Sequence, residues 1–220
     1  MQILTIAAQK GGVGKTTLAA HLAREALTAG YEQTAMIDLD PQGSLSDWFN
    51  VREAEEPYMA EATTQDLSAK LAALRGAGID MVIIDTPPGH TATITAAIQE
   101  ADLVLVPVQP SPVDIRAVGP TVEMIEGANK PFAFILNRAV PRTAIASQTT
   151  LALAAHGKIA PSPVSQRVDY AAAMTDGRVA QELKPTGPAA KEMAELWAFI
   201  EAQLSKGAGV KTMTATGVAA

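Results

Sequence analysis

Short apolar runs alternate along the chain with longer segments in which apolar residues recur every three or four positions. The short runs are typical of buried strands, and the longer segments have the spacing of helices that pack on one face. The predicted strands are residues 3–8, 33–38, 81–85, 103–108, 132–137 and 158–163. The predicted helices are residues 18–29, 45–49, 66–77, 91–100, 114–126, 143–155, 169–176 and 188–204. This alternation predicts an α/β fold, with a mostly parallel twisted sheet and helices on both faces.

The predicted elements run through residues 1–204 without a linker or an internal repeat, so we expect a single domain there. Residues 205–220 are small and polar, and the composition predicts a disordered tail. Residues 51–64 show no clear period and are left without an assigned element.

Composition excludes several classes of protein. The chain has 220 residues, of which 48% are hydrophobic, but it has no apolar run long enough to predict a transmembrane helix. It contains no cysteine, which excludes disulfides and thiolate metal sites. No charged-then-apolar leader opens it, so we expect no secretory signal. The net charge of −6 argues against a globally basic nucleic-acid binder and leaves room for a local basic patch.

A glycine-rich segment, residues 9–17, joins the first predicted strand to the first predicted helix. Its residues are Gln9, Lys10, Gly11, Gly12, Val13, Gly14, Lys15, Thr16 and Thr17. Glycines let backbone N–H groups approach phosphate oxygens, and the start of a helix adds a positive dipole end. Lys15 supplies a charge for the β- and γ-phosphates, and the Thr16 hydroxyl is a Mg²⁺ ligand. The segment therefore predicts a nucleotide-phosphate cradle.

Asp85 ends an apolar strand, at the position from which a carboxylate holds Mg²⁺ opposite the cradle. An aspartate at the end of a strand is common in itself. The inference depends on its pairing with Thr16, because both side chains must meet one cation. Since ligands bind at the carboxyl ends of parallel strands, Asp38, Asp85 and Asn137 are expected at one edge with the cradle.

Residues 9–17 depart from the ordinary phosphate-binding motif by carrying Gln9 in place of its first glycine and Lys10 as a second lysine. In this they resemble the deviant Walker A loop of the ParA/MinD superfamily of dimeric ATPases. Asp38-x-Asp40-Pro41-Gln42 resembles that family's Walker A′ element, and Pro110-Ser111-Pro112-x-Asp114 resembles a loop of the smaller plasmid ParA proteins. The nearest resemblance is to the small plasmid, ParF-like partition proteins. It implies a P-loop ATPase that binds ATP and Mg²⁺.

The resemblance also implies roles for individual residues. Lys10 would reach across a dimer to the partner's ATP, Asp40 would position the attacking water, and Asp38 would lie near the Mg²⁺ water shell. Asn137 and Arg138 would lie beside the adenine. The alternatives are a solvated loop lysine at position 10, a turn-initiating Asp40 and a strand-end cap at Asn137.

The function implied is that of a homodimeric ATPase whose slow hydrolysis is stimulated by a ParB-like centromere-binding adaptor. Such a protein is cytoplasmic, bacterial and able to associate with the nucleoid, and it segregates plasmid or chromosomal DNA. Nonspecific DNA binding would require a local patch. The candidates in the C-terminal half are Arg142, Lys158, Arg167, Arg178 and Lys184, with ordinary solvated charges as the alternative.

Two other functions use the same loop. A MinD-like membrane-positioning ATPase needs a C-terminal amphipathic helix, and residues 207–220 contain Lys211 and Met213 but no aromatic residue. Stable membrane insertion is therefore not expected. The second is a metabolic P-loop enzyme with a small acceptor. DNA-stimulated ATPase activity, liposome binding and product formation distinguish the three.

Overall fold

Seven parallel strands form one sheet at the centre of the fold. The computed structural model describes residues 1–215, with side chains as far as Lys206. The strands are β1 Gln2–Ile6, β2 Thr34–Asp38, β3 Tyr58–Ala60, β4 Met81–Asp85, β5 Leu103–Val108, β6 Phe132–Leu136 and β7 Lys158–Ile159. Their order is β3-β2-β4-β1-β5-β6-β7, and each neighbouring pair is parallel. The predicted α/β class with a parallel sheet is confirmed.

Helices connect the strands and cover both faces of the sheet. They are α1 Lys15–Thr28, α2 Ser44–Asn50, α3 Leu67–Gly76, α4 Thr91–Glu100, α5 Pro112–Gly127, α6 Ala144–Ala154, α7 Val168–Ala173, α8 Ala180–Leu183 and α9 Pro188–Ala215, with a 3₁₀ turn at Met174–Asp176. None of the helices in the described residues is long and apolar enough to cross a membrane.

The structure differs from the sequence prediction at three elements. β3 lies in the segment left without an element, and α8 was not predicted, because both are too short to show a period. α9 continues past residue 204 and includes residues 205–215, which were predicted to be disordered. Extending an existing helix costs less than nucleating one, which explains the continuation. Residues 216–220 lie outside the described part, so the predicted disorder stays a prediction there.

The core holds α1 against the middle of the sheet. All five residues of β4 are buried, and on one face Leu18 and Leu22 of α1 share a cluster with Met193 and Ile200 of α9. Each large aliphatic side chain buried in this way contributes about 1.5–3 kcal/mol relative to an exposed one. The loop that enters α1 is therefore attached to a rigidly packed helix.

The carboxyl ends of the strands meet at one edge. Ile6 of β1 and Asp38 of β2 both pair in register with Asp85 of β4, which lies between their strands. β5 and β6 end on the other side of β1. The register brings the two strand-end aspartates beside the glycine-rich loop, as the sequence predicted.

Candidate functional site

The glycine-rich loop folds into a compact turn that ends at the first residue of α1. Gly12 and Gly14 have φ values of 76° and 91°, in the region that favours glycine, and Gly14 is the N-cap of α1. A β-carbon on Gly14 would lie 2.5 Å from Asn137 Nδ2. A residue with a side chain at position 14 would therefore be strained in its backbone and would clash with Asn137.

An open cleft of about 650 Å³ lies over this turn. Its lining residues are Gly11, Gly12, Gly14, Lys15, Thr16, Thr17, Asp40, Ser44, Asp47, Trp48, Val51, Pro88, Arg138, Met174 and Thr175. Lys15 is buried, and burial lowers the pKa of its ammonium group, while the charges of Asp85 and Asp40 oppose this effect. A partly desolvated ammonium beside a helix N-terminus is a site for an anion.

Thr16, which lines the cleft, contacts the buried Asp85. The Thr16 hydroxyl donates to Asp85 Oδ2 over 2.6 Å, whereas Asp85 Oδ1 is buried without a hydrogen-bond partner. Burial raises the pKa of Asp85 to about 7, against the lowering effect of the Thr16 hydrogen bond. The hydroxyl and the unpaired carboxylate oxygen are hard ligands of the kind that Mg²⁺ prefers. Among the described residues, no three histidine or acidic side chains are placed so that together they could hold a metal ion, so phosphates and water would complete the coordination.

Asp38 organises the loop between β2 and α2. Its Oδ1 accepts from the Asp40 N–H over 3.0 Å, and its Oδ2 accepts from the Leu45 and Ser46 N–H groups, each over 3.0 Å. The N-cap of α2 is Gly43, which has no side chain that could cap the helix. The chain folds back far enough for Asp38 to supply the cap instead. Its predicted place near a Mg²⁺ water shell stays a prediction.

Asp40 both initiates a turn and faces the cleft. Its Oδ1 accepts from the Gln42 N–H over 3.0 Å, and its carbonyl oxygen accepts from the Gly43 N–H over 2.8 Å. The side chain also lines the cleft together with Lys15. The turn and the predicted water-positioning role are therefore compatible in one residue, and the catalytic role stays a prediction.

The ammonium group of Lys10 does not lie with that of Lys15. Lys10 is absent from the cleft lining, and its Nζ forms an ion pair of 2.5 Å with Asp114 Oδ2 in the first turn of α5. Asp114 is buried, and its Oδ1 has no hydrogen-bond partner. The ammonium groups of the two lysines are thus held apart, one at the cleft and one at α5.

A narrower cavity of about 180 Å³ adjoins the cleft. Its lining residues are Gly14, Thr17, Leu18, His21, Asn137, Arg138, Val164, Ser165, Gln166, Arg167, Tyr170, Ala171 and Met193. Asn137 Nδ2 donates to the Val13 carbonyl over 2.7 Å, so this amide holds the glycine-rich loop. Its predicted contact with adenine stays a prediction and would have to use the other side-chain atoms. The sequence missed Leu18, Tyr170 and Met193, because they come from three helices with no motif in common.

His21 ties α1 to α8 beneath this cavity. Its Nδ1–H donates to the Thr17 carbonyl over 2.7 Å, and its Nε2 accepts from the Ala180 N–H over 3.0 Å. The ring is fully buried, and burial lowers its pKa to about 4. His21 is therefore a neutral structural residue at neutral pH.

We expect His21 to destabilise the fold as the solution becomes acidic. Its folded pKa lies below the unfolded value of 6.5, so the unfolded chain binds the proton more tightly, and stability falls between about pH 6.5 and pH 4. The loss is about 3 kcal/mol, because each unit of pKa corresponds to about 1.4 kcal/mol. Urea unfolding of wild type and His21→Gln at pH 7 and pH 4.5 measures it. The pH dependence of stability must be compared between wild type and His21→Gln, because the raised pKa of Asp85 makes the fold more stable as the pH falls. An equal pH dependence in both chains would contradict the assignment.

Three of the five basic residues suggested for a DNA patch form ion pairs with acidic residues. Arg167 pairs with Glu192, Arg178 with Asp176, and Lys184 with Asp169, over 2.5–2.7 Å. Lys158 donates to Gln203, and Arg142 is exposed. The sequence could not reveal this neutralisation, because two of the three ion-pair acids are 15 and 25 residues from their partners.

The fold and the loop define a P-loop nucleotide-binding protein. Residues 4–179 match the family model described as the CobQ/CobB/MinD/ParA nucleotide binding domain, and the chain belongs to this family. The predicted superfamily is thus confirmed.

Curated relatives carry names from more than one branch of the family. The chain is 35% identical over 158 residues to maintenance of carboxysome distribution protein A of Halothiobacillus neapolitanus, covering 67% of this chain and 72% of the relative. It is 29% identical to the chromosome-partitioning ATPase Soj of Thermus thermophilus, covering 85% and 90%. The finer resemblance to the small plasmid class stays a prediction.

Solved structures show the same fold. Apo McdA of Cyanothece aligns with a TM-score of 0.74 and 21% identity, covering 89% of this chain and 98% of that one. MinD of Pyrococcus horikoshii, solved with Mg-ADP, aligns with a TM-score of 0.75 and 18% identity, covering 90% and 95%. At these identities the likeness concerns the fold alone.

Proposed function

We propose that the chain is a ParA-type ATPase that dimerises on ATP and positions or segregates a cargo with the help of an adaptor. The observation that supports this most directly is the position of Lys10, whose ammonium group points to α5 and away from the chain's own cleft. The Lys10 side chain is 35% exposed, so a partner subunit can reach it once it leaves Asp114. The names of the relatives favour a DNA or carboxysome-like cargo.

The proposal gives a physical role to each of five side chains. Lys15 and the N-terminus of α1 bind the β- and γ-phosphates, and Thr16 and Asp85 hold Mg²⁺, which neutralises phosphate charge. Asp40 orients the attacking water. Lys10 of the second subunit stabilises the charge that develops on the transferred phosphoryl group, as an arginine finger does. Hydrolysis then depends on dimerisation.

In this proposal, Lys10 leaves Asp114 of its own subunit and binds the ATP of the second subunit. Dimer formation therefore depends on the γ-phosphate. Leaving Asp114 without a cation has a cost because its carboxylate is buried, but Lys10 is 35% exposed, so the cost is smaller than that of about 3–5 kcal/mol for a fully buried pair. The phosphate charge in the second subunit must offset that cost. ATP offers more charge than ADP, so the dimer forms with ATP and opens after hydrolysis.

Light scattering after size exclusion tests the proposal. We expect a dimer with ATP and monomers with ADP or without nucleotide, using Asp40→Ala to prevent turnover. Asp114→Asn removes the charge that retains Lys10, so the dimer should form at a lower ATP concentration. Asp66→Asn, an exposed acid at the start of α3, is the matched control. A monomer under all conditions, or a dimer independent of nucleotide, would contradict the switch.

The DNA-partition role is the finer part of the proposal. It includes a ParB-like adaptor that stimulates hydrolysis and nonspecific DNA that strengthens the ATP dimer. Three of the five suggested basic residues are ion-paired, two of them at exposed positions, so DNA phosphates would have to compete with Glu192, Asp176 and Asp169 for these side chains. Stimulation of ATPase activity by DNA and adaptor supports the partition role, whereas liposome binding or transfer to a small acceptor would identify the MinD-like or metabolic alternative.

A further inference from the structure

Arg138 is held in a left-handed conformation between two anchored neighbours. Its φ is 52°, in a region that non-glycine residues rarely adopt. On one side, the Asn137 N–H donates to the Val108 carbonyl over 2.8 Å. On the other, the Ala139 N–H donates to the Val164 carbonyl over 3.0 Å. The backbone at Arg138 is thus held by its neighbours, which fixes the direction in which its side chain leaves the backbone.

The Arg138 side chain lies over the end of the glycine-rich loop. Its Nε is 4.0 Å from the place where a β-carbon on Gly14 would be. Among the described residues, no carboxylate pairs with its guanidinium group, whereas Lys10 is neutralised by Asp114. Lys15 and Arg138 are therefore the two cationic side chains that line the cleft.

Arg138 also lies where the two cavities join. Only Gly14, Thr17 and Arg138 line both the wide cleft and the narrow cavity. In a nucleotide, the ribose and the α-phosphate connect the base to the outer phosphates. If the base occupies the narrow cavity and the outer phosphates lie at Lys15, then the α-phosphate lies beside these three residues. Arg138 is the charged one.

We propose that Arg138 binds the α-phosphate of the nucleotide within its own subunit and joins base recognition to phosphate recognition. The proposal rests on the nucleotide binding proposed above. Its consequence is specific: ATP and ADP share the α-phosphate, so Arg138 supports both equally and does not contribute to the ATP-dependent dimer contact. Lys10 has the complementary property, because it responds to the γ-phosphate. An interaction made equally in the ground and transition states raises KM on removal and leaves kcat unchanged.

Calorimetry and competition against a fluorescent ADP analogue test the assignment. In Arg138→Gln we expect the affinity for ADP, ATP and AMP to fall about tenfold or more, the usual effect of losing a charge-assisted contact. Adenosine, which lacks the phosphate, should bind wild type and Arg138→Gln with equal affinity. Arg142→Gln is the matched control, since Arg142 is also an exposed arginine with positive φ, at 61°, and lines neither cavity. Arg138→Lys should retain part of the affinity, because it keeps the charge.

Several results would overturn the assignment. Unchanged ADP affinity in Arg138→Gln would exclude the contact, and an equal loss for adenosine would place Arg138 at the base. Normal ADP binding with loss of the ATP dimer would place it across the subunit interface. An equal loss of nucleotide affinity in Arg142→Gln would show that the effect comes from the change in net charge and not from a contact of Arg138. Should Arg138→Gln fail to fold, Arg138→Asn tolerates positive φ and takes its place. Failure of the wild type to bind any adenine nucleotide would instead overturn the proposed function, and this inference with it.

Discussion

Lys10→Ala should bind ATP almost normally, remain monomeric with ATP and lose most of its hydrolysis. The ammonium group of Lys10 lies outside the chain's own cleft and is paired with Asp114, so its removal leaves the phosphate cradle in place. What is lost is the charge delivered to the partner's γ-phosphate. A charge supplied in this way contributes about 10³–10⁵ in turnover rate in related phosphoryl-transfer enzymes. Calorimetry, light scattering and phosphate release measure the three effects separately.

Mixing two inactive variants decides whether Lys10 acts across the interface. Asp40→Ala should keep the ATP dimer and lose turnover. In a mixed dimer, the site of the Lys10→Ala chain keeps its own Asp40 and receives an intact Lys10 from the other chain. Turnover should therefore return on mixing. Its upper limit is set by the fraction of sites that combine an intact Asp40 with an intact Lys10 from the other chain. No recovery, with mixed dimers demonstrated, would mean that Lys10 serves its own subunit.

Lys15→Ala should abolish tight MgATP binding. Lys15 is the buried ammonium of the cleft, at the first residue of α1, and its hydrogen bonds to phosphate are charge-assisted. Each such bond contributes about 1.5–3 kcal/mol, so the loss of two corresponds to a fall in affinity of about a hundredfold or more. Isothermal titration with Mg²⁺ and ATP measures it.

The other lysine of the same loop is the natural control for this experiment. Lys10→Ala removes an equal charge five residues away and should leave monomer affinity nearly unchanged. ATP binding by Lys15→Ala with wild-type affinity would show that the loop does not bind phosphate through this residue, and an equal loss in both variants would reduce the effect to net charge.

Much of the fold was predictable from local pattern. The alternation of strand-like and helical segments predicted the parallel sheet, because burial on both faces leaves a continuous apolar signature in each strand. β3 and α8 were not predicted, because segments of three or four residues are too short to show a hydrophobic period. Their conformations depend on neighbours such as β2 and the His21 ring. The end of α9 was missed because composition does not report how far an existing helix extends.

The chemistry of the site divides in the same way. Sequence by itself predicted a phosphate cradle at residues 9–17 and a strand-end ligand at Asp85, and it identified the family, because each of these signals lies in a short local motif. Tertiary structure decided what the side chains contact: Lys10 pairs with an acid 104 residues away, and Asn137 holds a carbonyl 124 residues away. It also placed Arg138 between two cavities and neutralised three basic residues suggested for DNA. Such contacts follow from strand order and register, which bring distant segments to one edge of the sheet and leave no trace in local sequence.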